Sequence, residues 1–316
     1  KLPRHYHQLN VRSIRAYQDL ALELGGAWLH LDGALHWARA SAEAETLRAN
    51  VRRLREWGYR MEVATPQQAV RDLEPDLQVP GDVEEVYVVP GEGWLDGVGL
   101  CAAAVGEACR RYGARIVYDE VIGFDGPPGG VDTVKLAGGE KLRADLVVNA
   151  AGPQGAGVAA LGGAKVPLEQ RIGAFVVSRP VPVRLRHVVH AGDFHFRPDG
   201  GSRLVFHSLA FDSQVRPGQT AGLEHPICTE AVRLASSLMP VVSRAGVEAV
   251  RLGMRPMPVD GHPIVGFDPQ VAGLYHVLTH SGVTLAAILG LLVTEELSGG
   301  EVPELEPYRP GRFAPA

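Results

Sequence analysis

Cysteine is scarce: Cys101, Cys109 and Cys228 are the only three in 316 residues, and no CxxC pair or His/Cys ligand spacing occurs. Cys101 and Cys109 fall on one helical stretch and cannot reach each other there. The thiols therefore read as free, which suits a reducing, cytoplasmic compartment. Neither sign of charge dominates. A formal net charge of −5 at pH 7 excludes the broad basic surface that nucleic acid requires. No apolar run is long enough to span a bilayer; the longest, Val283 to Val293, ends against Glu295 and Glu296. Nothing near Lys1 has the basic-then-apolar order of a signal peptide. Gly-x-Ser-x-Gly, Walker A and HExxH patterns are absent too. There remains an ordinary globular composition, 46% hydrophobic and 21% charged, in a chain long enough for two domains.

Periodicity divides that length. Val11 to Leu24 has helical spacing, and Gly25-Gly26 stops it. Trp28 to Leu31 and Ala34 to Trp37 alternate around Asp32-Gly33, which predicts a hairpin. Ser41 is placed to cap a second helix running to about Gly58. Thr65-Pro66-Gln67-Gln68 has the form of a capping box with proline at the first helical position. Glu84 to Val89 reads as a strand, and Asp96 caps a helix over Gly97 to Tyr112. Short strands follow at Ala114 to Tyr118, Glu120 to Phe124 and Val131 to Leu136. Leu142 to Asn149 is apolar enough for a buried parallel strand leading into Ala150-Ala151-Gly152. From Val166 to Phe211 the alternation points to an antiparallel sheet, with strands at Ile172 to Ser178, His187 to Ala191, His195 to Arg197 and Leu204 to Ser208. Thr229 to Leu238 is helical, and Val247 to Met257 and Gly273 to Leu278 are strands. An apolar helix ends near Leu297, before a Pro-rich tail expected to wrap the surface.

Three segments could carry chemistry. His280-Ser281-Gly282-Val283-Thr284-Leu285 joins a buried strand to a helix, so its free amides and partial positive charge suit a phosphate or an electron-rich carbonyl. A plain turn capped by Ser281 is the alternative. Arg251-Leu252-Gly253-Met254-Arg255-Pro256 leads into Val259-Asp260-Gly261-His262-Pro263-Ile264-Val265-Gly266. Arg255 at a strand end could hold a carboxylate bidentately, or simply pair with Asp260. Gly91-Glu92-Gly93-Trp94-Leu95-Asp96 forms a tight path into a helix, where Trp94 could stack on a planar group. His190, His195 and His207 come within reach of one another if their strands pair. Without a carboxylate or Cys at ligand spacing they do not read as a metal site. His195 or His207 near a substrate and a structural role for these imidazoles both stay open.

In this order the segments resemble the FAD-dependent D-amino-acid oxidase superfamily, which includes glycine and sarcosine oxidases. Gly91 to Asp96 comes first. Ala144-Asp145-Leu146-Val147-Val148-Asn149-Ala150-Ala151-Gly152-Pro153 is similar to the family's strand and glycine turn. Arg255-Pro256, Asp260 to Gly266, Leu274-Tyr275 and Thr279 to Leu285 are similar to its carboxy-terminal signature. The resemblance covers nearly the whole chain. It implies an α/β (α+β) fold: a three-layer, Rossmann-like FAD/NAD(P)-binding domain, with an antiparallel-sheet substrate domain over the flavin ring. It assigns residues 1–24, 91–165 and 250–300 to the FAD domain, 25–90 and 166–249 to the substrate domain, and 301–316 to a tail.

The same resemblance implies FAD as cofactor, with Val121, Ala150, Ala151 and Gly152 along the ADP part. It sets Trp94, Ser281, Gly282, Val283, Thr284 and Leu285 at the ring, and Arg255, His195 and His280 at a small amino-acid or amine substrate. Arg255 would be the carboxylate anchor. The family's opening strand, Gly-x-Gly-x-x-Gly turn and acidic residue have no counterpart here, so that domain reads as incomplete at its N-terminus, with an omitted upstream segment expected. The implied activity is hydride transfer from an amino acid or secondary amine to flavin. Two alternatives stay open: a non-catalytic or partner-completed subunit of a flavoprotein complex, and a flavoenzyme acting on a 2-hydroxy acid. A homo-oligomer or a partner chain is compatible with either; nucleic acid, membrane and metal are not expected.

Overall fold

A computed structural model describes residues 3–39 and 41–313. From the amino end the chain forms α1 (Arg4–Leu24), β1 (Leu29–His30), β2 (Ala34–Trp37), α2 (Ser41–Glu56), β3 (Glu62–Ala64), α3 (Pro66–Gln68), β4 (Val86–Val89), β5 (Trp94–Leu95) and α4 (Gly97–Tyr112). The middle comprises β6 (Val121–Asp125), β7 (Thr133–Leu136), β8 (Lys141–Arg143), β9 (Val147–Asn149), α5 (Gly155–Leu161), β10 (Leu168–Ser178), β11 (Val188–Ala191), β12 (Phe194–Pro198), β13 (Leu204–His207) and α6 (Leu209–Asp212). Then come α7 (Pro226–Leu238), β14 (Val247–Pro258), β15 (Ile264–Phe267), β16 (Leu274–Leu278) and α8 (Gly282–Leu297), with two 3₁₀ turns after them.

Local signals explain many of these boundaries. Thr65 and Gln68 exchange both capping-box bonds ahead of Pro66, and the helix runs on as a wider turn to Leu73. Asp96 accepts the Val98 amide at 3.0 Å and starts α4 at Gly97. Gly25, at φ 77°, ends α1 in a conformation that side chains with a Cβ avoid. The Ser41 side chain lies outside the described residues, so its capping role does too.

Four expectations need correction. α1 starts at Arg4, well before Val11. Beside Tyr6, Leu9, Ala16 and Tyr17 its buried stripe includes His7 and Ser13, polar residues that a purely apolar pattern does not register. The Asp32-Gly33 hairpin does not form. β1 pairs with β5, whereas β2 lies between β4 and β11. Gly33 receives the Val188 amide and donates to Glu92 O, so long-range partners overrule the local turn signal. Ala114 to Tyr118 forms no ladder. The apolar run from Leu142 to Asn149 is not one strand: Leu142 closes a meander in β8, and only Val147–Asn149 joins the next sheet.

The chain divides into two compact units, residues 1–25, 101–171 and 254–316, and residues 26–100 and 172–253. In the first unit β16 and β9 run parallel and β15 runs antiparallel to β16. β6, β7 and β8 make a separate antiparallel meander. Ile264, Leu274 and Leu278 pack with Val131, Ala159, Ala164 and Val166. The tail does more than wrap a surface, since Leu305 and Tyr308 are fully buried. The second unit holds most of an eight-stranded mixed sheet, ordered β14-β10-β13-β12-β11-β2-β4-β3. Alternation sets its faces. Leu35, Trp37, Val189, Phe194, Phe196 and Phe206 enter the main core with α7, while Ala34, Tyr87 and Val89 pack with Val51 of α2. No helix among the described residues is long and apolar enough to cross a membrane.

Candidate active site

In the first unit the opening of α8 is held from α1. Ser281 is the residue before the helix, yet its hydroxyl does not cap it. That hydroxyl is 2.8 Å from the Tyr6 hydroxyl and 3.3 Å from His280 Nε2. Ser13 Oγ donates to Thr284 O at 2.6 Å, and the Tyr17 hydroxyl donates to Val283 O. Burial pushes the Tyr17 hydroxyl up to about 12, so it stays a donor. Gly282, Val283 and Thr284 are exposed, and a Cβ added to Gly282 would meet nothing within 4 Å. The first turn therefore points its amides outward, with the positive end of the helix dipole behind them. Leu285 does not share this opening: its side chain is buried and its amide donates to Ser281 O at 2.9 Å.

Arg255 belongs to the same neighbourhood. Burial, then the Arg255 guanidinium, then His262 hold His280 below the usual imidazole range. The local pair of Arg255 with Asp260 does not form. Asp260 instead takes the guanidinium of Arg312 at 2.7 and 3.1 Å, together with the His262 amide at 3.1 Å. Around this lies a ring cluster in which Tyr6 is 5.5 Å from His262 and 6.4 Å from His280, centroid to centroid. Tyr308, fully buried, lies 6.4 Å from His262.

The turn after β9 lies at the carboxyl end of the parallel pair β16–β9. Buried Asn149 builds it, donating to Gly155 O at 2.8 Å and accepting the Ala151 amide at 3.2 Å. Ala150 and Ala151 are left exposed, and Gly152 takes a φ of 54°. Gly155 is confined by Leu278, whose Cδ2 would lie 2.3 Å from an added Cβ. Val121 is half-buried at the start of β6 in the meander.

In the second unit, strand register assembles the histidines. His36 faces His190, His190 faces His195, and His195 faces His207 across β2, β11, β12 and β13. Their rings form a row with centroid spacings of 4.2, 4.5 and 5.8 Å. Phe175 adds a ring 4.9 Å beyond His207. Acids stand at both ends: Glu92 is 3.7 Å from His36 Nε2, and Asp212 is 3.2 Å from His207 Nε2. Burial, His36 and His195 push His190 down to about 2. Burial and His207 also lower His195, against the pull of Asp193. The row is thus neutral at its centre. Among the described residues no group of three or more His, Cys, Asp or Glu side chains is disposed to hold a metal ion. Trp94 stacks on His30 at 3.9 Å and 11°.

Sequence reasoning missed His36 and the hydroxyl stripe Tyr6, Ser13, Tyr17. The stripe was detectable as residues 6, 13 and 17 on one helical face. His36 had no local signal, because only pairing with β11 brings it to His190.

Comparison with known proteins agrees with this architecture. A curated glycine oxidase from Geobacillus kaustophilus (strain HTA426) is 27% identical over 286 residues, which are 87% of this chain and 72% of that one. The crystal structure of glycine oxidase from Geobacillus kaustophilus aligns over 98% of this chain and 83% of its own, with a TM-score of 0.83 and 26% identity. Iminodiacetate oxidase from Chelativorans sp. BNC1 aligns over 98% and 85% of the two chains, with a TM-score of 0.81 and 25% identity. The family profile described as FAD dependent oxidoreductase matches residues 1–296, and with that match over nearly its whole length the chain belongs to the DAO family of FAD-dependent oxidoreductases.

Proposed function

We propose that this oxidoreductase oxidises an amino acid or secondary amine, with the flavin ring at the opening of α8 and Arg255 as the carboxylate anchor. One observation carries the reading: the uncapped first turn of α8 and the Arg255 guanidinium converge on His280. The donor set fits FAD. Outward amides at a helix N-terminus suit an electron-rich ring edge. The exposed turn Ala150 to Gly152 at the carboxyl end of a parallel strand suits a dinucleotide. Ser281 to Thr284 would hold the ring, and Val121, Ala150, Ala151 and Gly152 the ADP part. FAD, when bound, supplies a two-electron acceptor for a hydride.

The chain's own residues do the remaining work. Arg255 binds the substrate carboxylate and fixes the carbon to be oxidised. His280 stands beside it, its imidazole held below the usual range by burial and by Arg255. These candidate contacts all lie in the first unit, residues 1–25, 101–171 and 254–316. His195 of the second unit is a separate candidate, its imidazole held below the usual range by burial and His207. The relatives named glycine oxidase and iminodiacetate oxidase support an amino-acid-type substrate.

Arg255→Leu in the flavin-loaded enzyme tests this. Loss of a charge-assisted bidentate contact, about 3 kcal/mol, lowers kcat/KM for glycine or N-methylglycine roughly a hundredfold. Oxidation of a carboxylate-free amine such as benzylamine is unchanged. Equal losses on both amines would overturn the assignment, as would wild-type activity confined to 2-hydroxy acids.

A further inference from the structure

His276 and Asp268 have no part in the reading above. Both belong to the first unit, and their side chains are 0% and 4% exposed. With Asn149 they form one buried line of contacts. β16 runs between β15 and β9, and its register sets His276 beside Asn149. Nδ1 of His276 is 3.3 Å from the Asn149 side-chain nitrogen, and Nε2 is 3.1 Å from Asp268 Oδ2. Leu278, two residues further along β16 and on the same face, is the side chain that confines Gly155.

The outer partners assign every hydrogen in this line. The Ala151 amide can only donate, so the Asn149 atom it meets at 3.2 Å is the oxygen. Gly155 O can only accept, so the Asn149 atom at 2.8 Å is the nitrogen. The second hydrogen of that nitrogen faces Nδ1 of His276, which must accept it. The ring proton therefore sits on Nε2 and donates to Asp268. Asp268 fixes the same choice from the other side. Its Oδ1 already accepts the amides of Gln270 and Val271, both at 2.9 Å, which leaves Oδ2 to the ring.

A ring protonated at Nδ1 would set a donor against a donor. Asn149 could relieve that only by turning its amide over. It would then present nitrogen to the Ala151 amide and oxygen to Gly155 O, and both bonds that shape the turn would be lost. Leaving buried polar groups unsatisfied costs more than a made hydrogen bond contributes. One imidazole tautomer is thus a condition of the shape of the turn.

We propose that His276 is a positioning residue for the cofactor. Held by Asp268 with its proton on Nε2, it keeps the Asn149 amide in the one orientation that opens Ala150 to Gly152 towards the ADP part of FAD. This rests on the reading that the turn receives that part. His276 and Asp268 act through Asn149.

Asp268→Asn tests the dependence at constant volume. The new side chain must give its oxygen to the amides of Gln270 and Val271, so its NH2 group faces Nε2 and drives the ring proton to Nδ1. Fluorescence titration of the apoprotein then shows FAD affinity lower by about tenfold, the worth of one net hydrogen bond. FMN, which lacks the adenylate, binds as it does to the wild type. Nitrogen-15 NMR of the apoprotein reads the tautomer itself: Nε2–H in the wild type, Nδ1–H in Asp268→Asn. A second pair of variants keeps the test open if that one fails to fold. His276→Asn sets an oxygen near the Nδ1 position and keeps an acceptor for Asn149, whereas His276→Gln reaches only the Nε2 position. FAD affinity stays within about twofold of wild type in the first and falls about tenfold in the second. A wild-type ring protonated at Nδ1 overturns the proposal. So does an Asp268→Asn variant that changes tautomer and keeps its FAD affinity, or an equal loss in the two His276 variants. Failure of the underlying reading has its own signature: Asn149→Ala then binds FAD as the wild type does, whereas failure of the relay alone leaves Asn149→Ala weakened and Asp268→Asn unaffected.

Discussion

Acidification acts on the histidine row in a way that can be worked out from the geometry. His190 sits between His36 at 4.2 Å and His195 at 4.5 Å, and its pKa is pushed down to about 2 by burial and by those two neighbours. Glu92 beside His36 and Asp212 beside His207 stand at the ends of the row, and Asp193 pulls against the shift of His195, while burial, His36 and His195 set that of His190. An unfolded histidine titrates near 6.5. The folded value lies below the unfolded one, so His190 contributes stability that is complete above about pH 6.5 and declines as pH falls below it. Each bound proton costs about 1.4 kcal/mol per pH unit in that window. Between pH 7.5 and 5.0 the loss from His190 alone is about 2 kcal/mol. Urea unfolding at the two pH values measures it, with His190→Phe as the comparison. Phenylalanine keeps a ring against His36 and cannot bind a proton, so the variant's loss over this interval is smaller than the wild type's by about 2 kcal/mol. The reasoning is refuted if both proteins lose the same stability, or if the His190 ring titrates by NMR above pH 5.

Two further substitutions probe the supports of each unit. Asn149→Ala removes the buried amide that holds Gly155 O and the Ala151 amide, which costs about 2 kcal/mol in thermal unfolding. FAD affinity measured by fluorescence titration weakens in the same variant, because the turn offered to the ADP part loses its brace. Glu74→Ala breaks a buried pair in the second unit. Glu74 is 1% exposed and accepts the amides of Arg186 and His187 and the His187 ring at 2.6 Å, so chemical denaturation should show a loss of about 3–5 kcal/mol.

Much of the fold was legible where the signal was local. The capping box at Thr65, the cap at Asp96 and the stop at Gly25 each depend on side chains within three residues of the backbone they serve. Elements at strand edges were harder. Asp32-Gly33 has the composition of a hairpin turn, but Gly33 bonds to Glu92 and Val188, partners far away in sequence. The apolar run at Leu142 serves two sheets, a division that depends on which strand arrives beside it. At the candidate site the turn at Ser281 and the guanidinium of Arg255 were legible as motifs. The hydroxyls that leave the helix end uncapped come from α1, hundreds of residues earlier.

Sequence by itself determined the helix and strand periods, the caps, the absence of a membrane-spanning run and the ordered motifs of a flavin-dependent family. These follow from interactions between near neighbours and from composition. Tertiary structure alone decided that Ser281 binds Tyr6 and His280 instead of capping α8, that Asp260 goes to Arg312, and that His36 completes a row with His190, His195 and His207. Each of those outcomes is a competition for a hydrogen-bond or ring partner, and the winner is set by which strands and helices the core brings together, a choice that no short window of sequence contains.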